Sequence, residues 1–114
     1  MSTGEALSIE RRVSADGAAV LAVGGDLELR TAELLTLGVE GLLSHRPTEV
    51  VLDLRGVDLI DSSGAGALLG CRRRCARIGA RLILVVADGP VRRFMRRLQL
   101  EPLFDVILDT RAAV

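Results

Sequence analysis

With 114 residues, 49% of them hydrophobic and only 2% aromatic, the chain has the length of one domain and too many aliphatic side chains for disorder. Its mean hydropathy of +0.37 raises the question of a membrane span, yet no aliphatic run is longer than Leu82 to Ala87, far short of the roughly 20 residues a span needs. Fifteen arginines balance fifteen acids and no lysine is present, so the net positive charge of a nucleic-acid binder is missing.

The balance conceals a polarity. Residues 1–66 hold 5 Arg and 11 acids, a net of −6, whereas residues 67–114 hold 10 Arg and 4 acids, a net of +6. The start, Met1-Ser-Thr-Gly-Glu5, has neither the basic nor the apolar region of a secretion signal, so a cytoplasmic location is expected.

Leu7 to Val13 alternates with period two and predicts a half-buried strand. Ala15-Asp16-Gly17 is a turn signal, Ala18 to Val23 returns as the second strand of a hairpin, and Gly24-Gly25 is expected to end it. Thr31 suits the N-cap of a helix whose Ala32, Leu35, Val39 and Leu42 share one face; His45-Arg46-Pro47 stops it. Val50 to Leu54 reads as a short apolar strand followed by a loop. Asp61 or Ser62 then caps a second helix with an apolar stripe of Gly64, Leu68, Cys71, Cys75 and Ile78, closed by Gly79.

Leu82 to Ala87 is apolar on both faces, the pattern of a central parallel strand. Asp88-Gly89-Pro90 opens a third helix whose inner face is Val91, Phe94, Met95 and Leu98, with Arg92, Arg93, Arg96 and Arg97 outward. Leu103 to Leu108 is a last strand. The expectation is a single α/β domain over residues 1–114, with a core of about 7–110. Its mixed central sheet has an N-terminal β-hairpin followed by αβαβαβ, with the strands covered on both faces.

Most of these residues are scaffold. Cys71 and Cys75, four apart on a helix, have Cβ vectors pointing the same way and so suit no disulfide. A zinc site needs more ligands, and the single histidine, His45, is far off and reads as a surface residue. No metal and no cofactor are expected, and the thiols read as small buried hydrophobes in a reducing compartment. Gly-x-Ser-x-Gly is absent and Gly64-Ala-Gly66 lacks the Lys-Ser/Thr of a P-loop, so no enzyme is indicated. The runs Arg72-Arg73-Arg74 and Arg92-Arg93 read as solvated helix faces, without aromatics for base stacking.

One polar cluster exceeds what the scaffold needs: Asp61-Ser62-Ser63-Gly64 at a helix start. As caps alone these residues require no function. The unpaired N–H groups and dipole of a helix N-terminus also suit a phosphate there.

The segment Val51-Leu-Asp-Leu-Arg-Gly-Val-Asp58-Leu-Ile-Asp61-Ser62-Ser63-Gly64-Ala65-Gly66 closely resembles the signature of STAS-domain anti-sigma factor antagonists. Gly25-Asp26-Leu27-Glu28-Leu-Arg-Thr31-Ala32 resembles their earlier Gly-Glu-Leu-Asp-x-x-Thr-Ala motif, and Gly79 to Leu82, Val91-Arg-Arg and Leu100 to Phe104 resemble their C-terminal part. The resemblance implies partner switching. The unphosphorylated antagonist binds an anti-sigma factor that is also an ATP-dependent serine kinase, frees the sigma factor, and lets go when phosphorylated; a PP2C-type phosphatase resets it.

On this resemblance Ser62 is the phosphoacceptor, and Asp61, Ser63 and Gly64 shape the acceptor turn. Asp26, Glu28, Thr31, Asp58 and Ala65 lie toward the partner. Glu28 stands where the family usually has Asp, and Ala65 where it usually has Leu, which removes apolar area from the expected interface. The chain is then a kinase substrate rather than an enzyme, a monomer or weak dimer without direct contact to nucleic acid or membrane. The alternative is a STAS regulatory or scaffold subunit, not phosphorylated, of a stress complex or a lipid or anion transporter.

Overall fold

Polar residues between Leu7, Ile9 and Val13 give strand β1 (Leu7–Val13), which pairs antiparallel with β2 (Ala19–Leu27). Gly17, at φ +89°, turns the chain between them, and Ala18 N–H donates to the Ser14 hydroxyl at 3.0 Å. The computed structural model describes residues 7–14 and 16–109; Ala15 of the expected turn, the segment Met1 to Glu5 and Thr110 of the expected core lie outside the described residues. Helix α1 (Ala32–Leu43) leads to β3 (Glu49–Ile60), α2 (Ser62–Arg77) to β4 (Arg81–Val86), and α3 (Pro90–Arg97) with a 3-10 turn (Glu101–Leu103) to β5 (Asp105–Leu108).

Gly24-Gly25 does not end the second strand. β2 runs on to Leu27, and β3, expected to stop at Leu54, runs on beside it to Ile60. The two glycines instead allow irregular pairing: Gly25 takes φ +96°, and the register shifts between Ala22 and Gly24 and again between Gly25 and Asp26. The second shift leaves Asp58 as the extra residue of β3, between the pairs Gly25–Val57 and Asp26–Leu59. The paired extension carries both chains to the start of α2 and so positions the acceptor turn.

The five strands lie in chain order, β1-β2-β3-β4-β5, with β2 to β5 parallel. Each right-handed crossover therefore steps the same way and sets its helix on the same face of the sheet. Leu35, Val39 and Leu42 of α1, Leu68, Cys71 and Cys75 of α2, and Val91 and Met95 of α3 join Leu21, Val23, Leu52, Leu54, Leu82, Leu84 and Val86 in one core. Burying each large aliphatic side chain here contributes about 1.5–3 kcal/mol.

Among the described residues, helices cover only one face of the sheet, not both as expected. Val20, Ala22, Val51, Asp53, Ile83, Val85 and Ile107 alternate with the core positions, point the other way and lie outside the core cluster, even Ile83 at 8% exposure. Three smaller expectations also change. Leu98, placed on the inner face of α3, is 47% exposed because the helix has ended at Arg97. Arg92, placed outward, is half-buried between Asp88 and Glu101. The last strand begins at Asp105 because Pro102 and Leu103 form the 3-10 turn. Among the described residues no helix is long and apolar enough to cross a membrane.

On the uncovered face Arg55 grips Asp53 (Nη2–Oδ2 2.7 Å, Nε–Oδ1 2.8 Å) and reaches Asp109 at 2.6 Å. Hydrogen bonding from Arg55 holds the Asp53 carboxyl below its ordinary range. A lowered folded-state value stabilises the protein above the unfolded value of about 4, and that stability is lost as pH falls through the lowered one. Arg55→Met is therefore expected to lower stability at neutral pH and to flatten its fall on acidification below about pH 4, as read by urea unfolding across that range.

Candidate functional site

Helix α2 begins where β3 leaves the sheet, and Asp61 fixes the junction. Its backbone is extended, its Oδ1 accepts the Gly64 N–H at 3.0 Å, and its carbonyl accepts the Ala65 N–H at 3.0 Å. The other carboxylate oxygen, Oδ2, accepts the Leu29 N–H at 3.3 Å, and Asp61 N–H donates to the Leu27 carbonyl at 3.3 Å. One aspartate thus caps the helix and ties it to the loop between β2 and α1. Ser62 is the first helical residue and is exposed; Ser63 is half-buried. The Ser62 and Ser63 N–H groups have no acceptor among the described residues, so two amide donors and the positive end of a 16-residue helix adjoin the Ser62 hydroxyl.

The β2–α1 loop is built around Thr31. It is 5% exposed, and its hydroxyl donates to the Asp26 carbonyl at 2.6 Å while accepting the Glu28 N–H at 2.9 Å. Thr31 does stand at the N-cap position, but its side chain makes no cap bond because the loop uses it instead. Thr31→Val, of nearly equal shape, leaves that carbonyl and N–H without their partner and is expected to cost about 1–3 kcal/mol in chemical unfolding, with Thr31→Ser close to the parent.

The remaining residues sort by position. Glu28 is half-buried and turned back on its own loop, accepting the Arg30 N–H at 2.8 Å and facing Arg30 Nε at 3.5 Å. Asp26 is half-buried at the end of β2. Asp58 is exposed on the bulge, and no hydrogen bond or ion pair among the described residues joins it to Asp61 or Ser62. Ala65, set at the partner surface by the resemblance, is 6% exposed, so the missing Leu side chain bears on packing within the domain rather than on an open surface. Thr31 is likewise interior.

Cys71 and Cys75 are free and buried, and burial pushes the Cys71 thiol up to about 12 and raises that of Cys75. Neither is a ready nucleophile or redox centre. Arg72, Arg73 and Arg77 face solvent, whereas Arg74 pairs with Glu40 of α1 at 2.9 Å.

The STAS domain family matches residues 11–113 of this sequence, nearly all of it. The chain belongs to the STAS domain family. A stretch of 79 residues is 34% identical to the anti-sigma-F factor antagonist RsfB of Mycobacterium tuberculosis, covering 68% of this chain and 62% of that relative. The match thus spans less than two thirds of the relative's length. An anti-sigma factor antagonist from Mycobacterium paratuberculosis has a similar structure (TM-score 0.80, 21% identity, 93% of this chain and 89% of that one). So has the anti-sigma factor antagonist SpoIIAA, both unphosphorylated (TM-score 0.73, 20% identity, 91% and 90%) and phosphorylated (0.66, 19%, 91% and 93%). At these identities the structural likenesses establish the fold.

In this STAS domain two apolar residues beside the turn escape a reading by motif. Leu29, whose N–H meets Asp61, is 73% exposed, and Leu59, near the end of β3, is 47% exposed. A leucine between charged neighbours in a loop, Glu28-Leu29-Arg30, is the signal that marks the first. Periodicity gives none for the second.

Proposed function

We propose that this STAS domain is an anti-sigma factor antagonist switched by phosphorylation of Ser62. The unphosphorylated form binds an anti-sigma factor that is also an ATP-dependent serine kinase, and the sigma factor is released. Within that complex the Ser62 hydroxyl attacks the γ-phosphorus of ATP, ADP leaves, and the hydroxyl proton passes to a base on the kinase. The chain is the substrate of this reaction and not its catalyst. A PP2C-type phosphatase restores the free hydroxyl, and the cycle belongs to the cytoplasm.

The observation that carries the reading is an exposed serine on the first residue of α2, held by the Asp61 bridge against the β2–α1 loop. A phosphate on it meets the unpaired Ser62 and Ser63 N–H groups and the helix dipole, which stabilise it within the domain. The same charge, about −1.5 to −2, falls beside Asp61 on a surface that also carries Asp58 and the exposed leucines 29 and 59. A partner fitted to the unmodified surface then meets unpaired negative charge.

The test is incubation with the cognate kinase and ATP, followed by peptide mass spectrometry. Modification is expected on Ser62, and none on Ser62→Ala. Undiminished labelling of Ser62→Ala, at Ser63 or elsewhere, sinks the assignment.

A further inference from the structure

The sheet face turned away from the helices carries a small aliphatic patch set among charged side chains, without a partner among the described residues. Its side chains form ordered rows across the strands: Glu49 and Arg81; then Arg12, Val20, Val51, Ile83 and Asp105; then Glu10, Ala22, Asp53, Val85 and Ile107; then Arg55, which folds back on Asp53. Val20, Val51 and Ile83 make the middle of the first full row aliphatic, Ala22 and Val85 flank Asp53 in the second, and Ile107 at the rim is 52% exposed. Parallel strands of this composition are normally covered on both faces.

We propose that a second copy of this chain covers the face, stacked sheet to sheet about a two-fold axis that lies in the interface, runs perpendicular to the strands and passes between the Val51 and Asp53 rows. The charge pattern selects this operator. It sets each strand antiparallel over its own copy, so Arg12, 3.0 Å from Glu10 of its own chain, also meets Glu10 of the second copy, and Glu49, 3.6 Å from Arg81, also meets Arg55, each contact occurring twice. Val20 meets Ala22 and Ile83 meets Val85, again reciprocally. Val51 meets Asp53, whose charge Arg55 already balances. An axis parallel to the strands instead sets Asp53 over Asp53 and Glu10 over Ile107.

Thirteen positions, on strands about 4.8 Å apart and in rows about 6.8 Å apart, give a footprint of roughly 420 Å² per copy, about 850 Å² in total. That is below the standard size of a specific interface and, with a charged rim, corresponds to weak, reversible association rather than an obligate dimer. The interface lies on the face opposite the helices and does not depend on the role of Ser62.

Sedimentation velocity over a wide range of protein concentration tests the proposal. The parent chain is expected to pass reversibly from monomer to dimer. Ile107→Asp sets a carboxylate against Asp105 of the second copy, at an exposed position that the fold does not need, and is expected to raise the dissociation constant at least tenfold. Arg12→Glu and Glu10→Arg, each of which sets like charges over one another, are expected to do the same. Mixing those two variants pairs Glu with Arg at both contacts and is expected to restore a dimer that neither forms alone. Circular dichroism of each variant verifies the fold. A parent chain that stays monomeric throughout overturns the proposal and leaves the face to the chain's own ends or to a foreign protein. A dimer indifferent to these substitutions, or a mixture no tighter than either variant, overturns it as well.

Discussion

Gly64→Ala is expected to cost about 3 kcal/mol of stability, while Gly66→Ala, two residues along the same helix, is expected to gain up to about 1 kcal/mol. A Cβ on Gly64 collides with the Leu27 carbonyl oxygen and stands 2.9 Å from Leu27 Cγ. The oxygen belongs to the backbone of β2 and accepts the Asp61 N–H, so it has no rotamer to yield. Relief requires the first turn of α2 to lift away from β2, which strains the Asp61 bridge to both Gly64 and Leu29. At Gly66 an added Cβ meets nothing within 4 Å, and the change reduces to the ordinary helical preference for alanine. Urea midpoints of the two variants measure the contrast. Equal effects from the two show that the close approach of β2 to α2 is not what Gly64 serves.

Phosphorylation of Ser62 is expected to weaken binding to the anti-sigma factor by at least about 100-fold, close to 3 kcal/mol, with little change in the melting temperature of the domain itself. The two effects separate because they act through different neighbours. Inside the domain, the favourable field of the helix start and two free N–H donors offset repulsion from Asp61. Across an interface the same phosphate is buried against a surface with no counter-charge for it, and salt screens such a desolvated group poorly. Titration calorimetry on the phosphorylated and unmodified chains, each at low and physiological salt, reads the difference. Affinities within about threefold of each other remove the switch from this site. A collapse of the melting temperature on phosphorylation instead places the effect in the fold.

The order of elements was readable because each helix carries its apolar residues on one stripe, and Leu35, Val39, Leu68, Cys71 and Met95 all went to the core as their spacing requires. The ends of β2 and β3 were not readable for a physical reason. Gly24-Gly25 and Val57 to Ile60 are unremarkable alone, and they become strand only because each supplies the other's hydrogen bonds across a bulged ladder. Local propensity contains no such term. The uncovered face was misread through composition: aliphatic abundance suggested two covered faces, while Asp53 and Arg55, two apart on one strand, already marked a face with access to water. In the candidate site, the helix start and its aspartate cap follow from spacing. The role of Ser62 follows only from resemblance, and the bridge from Asp61 to Leu29 spans 32 residues that no local pattern connects.

The buried thiols have a practical consequence. The chain has no tryptophan and no tyrosine, so its unfolding is nearly silent in intrinsic fluorescence. Cys71 and Cys75 are 0% and 1% exposed on the inner face of α2, and as burial-raised thiols they stay protonated at neutral pH. An alkylating reagent reaches them only when α2 parts from the sheet, so the rate of labelling measures how often this helix opens. Because Ser62 heads the same helix, comparing that rate before and after kinase treatment reports at a distance of several turns whether a charge at one end loosens the other.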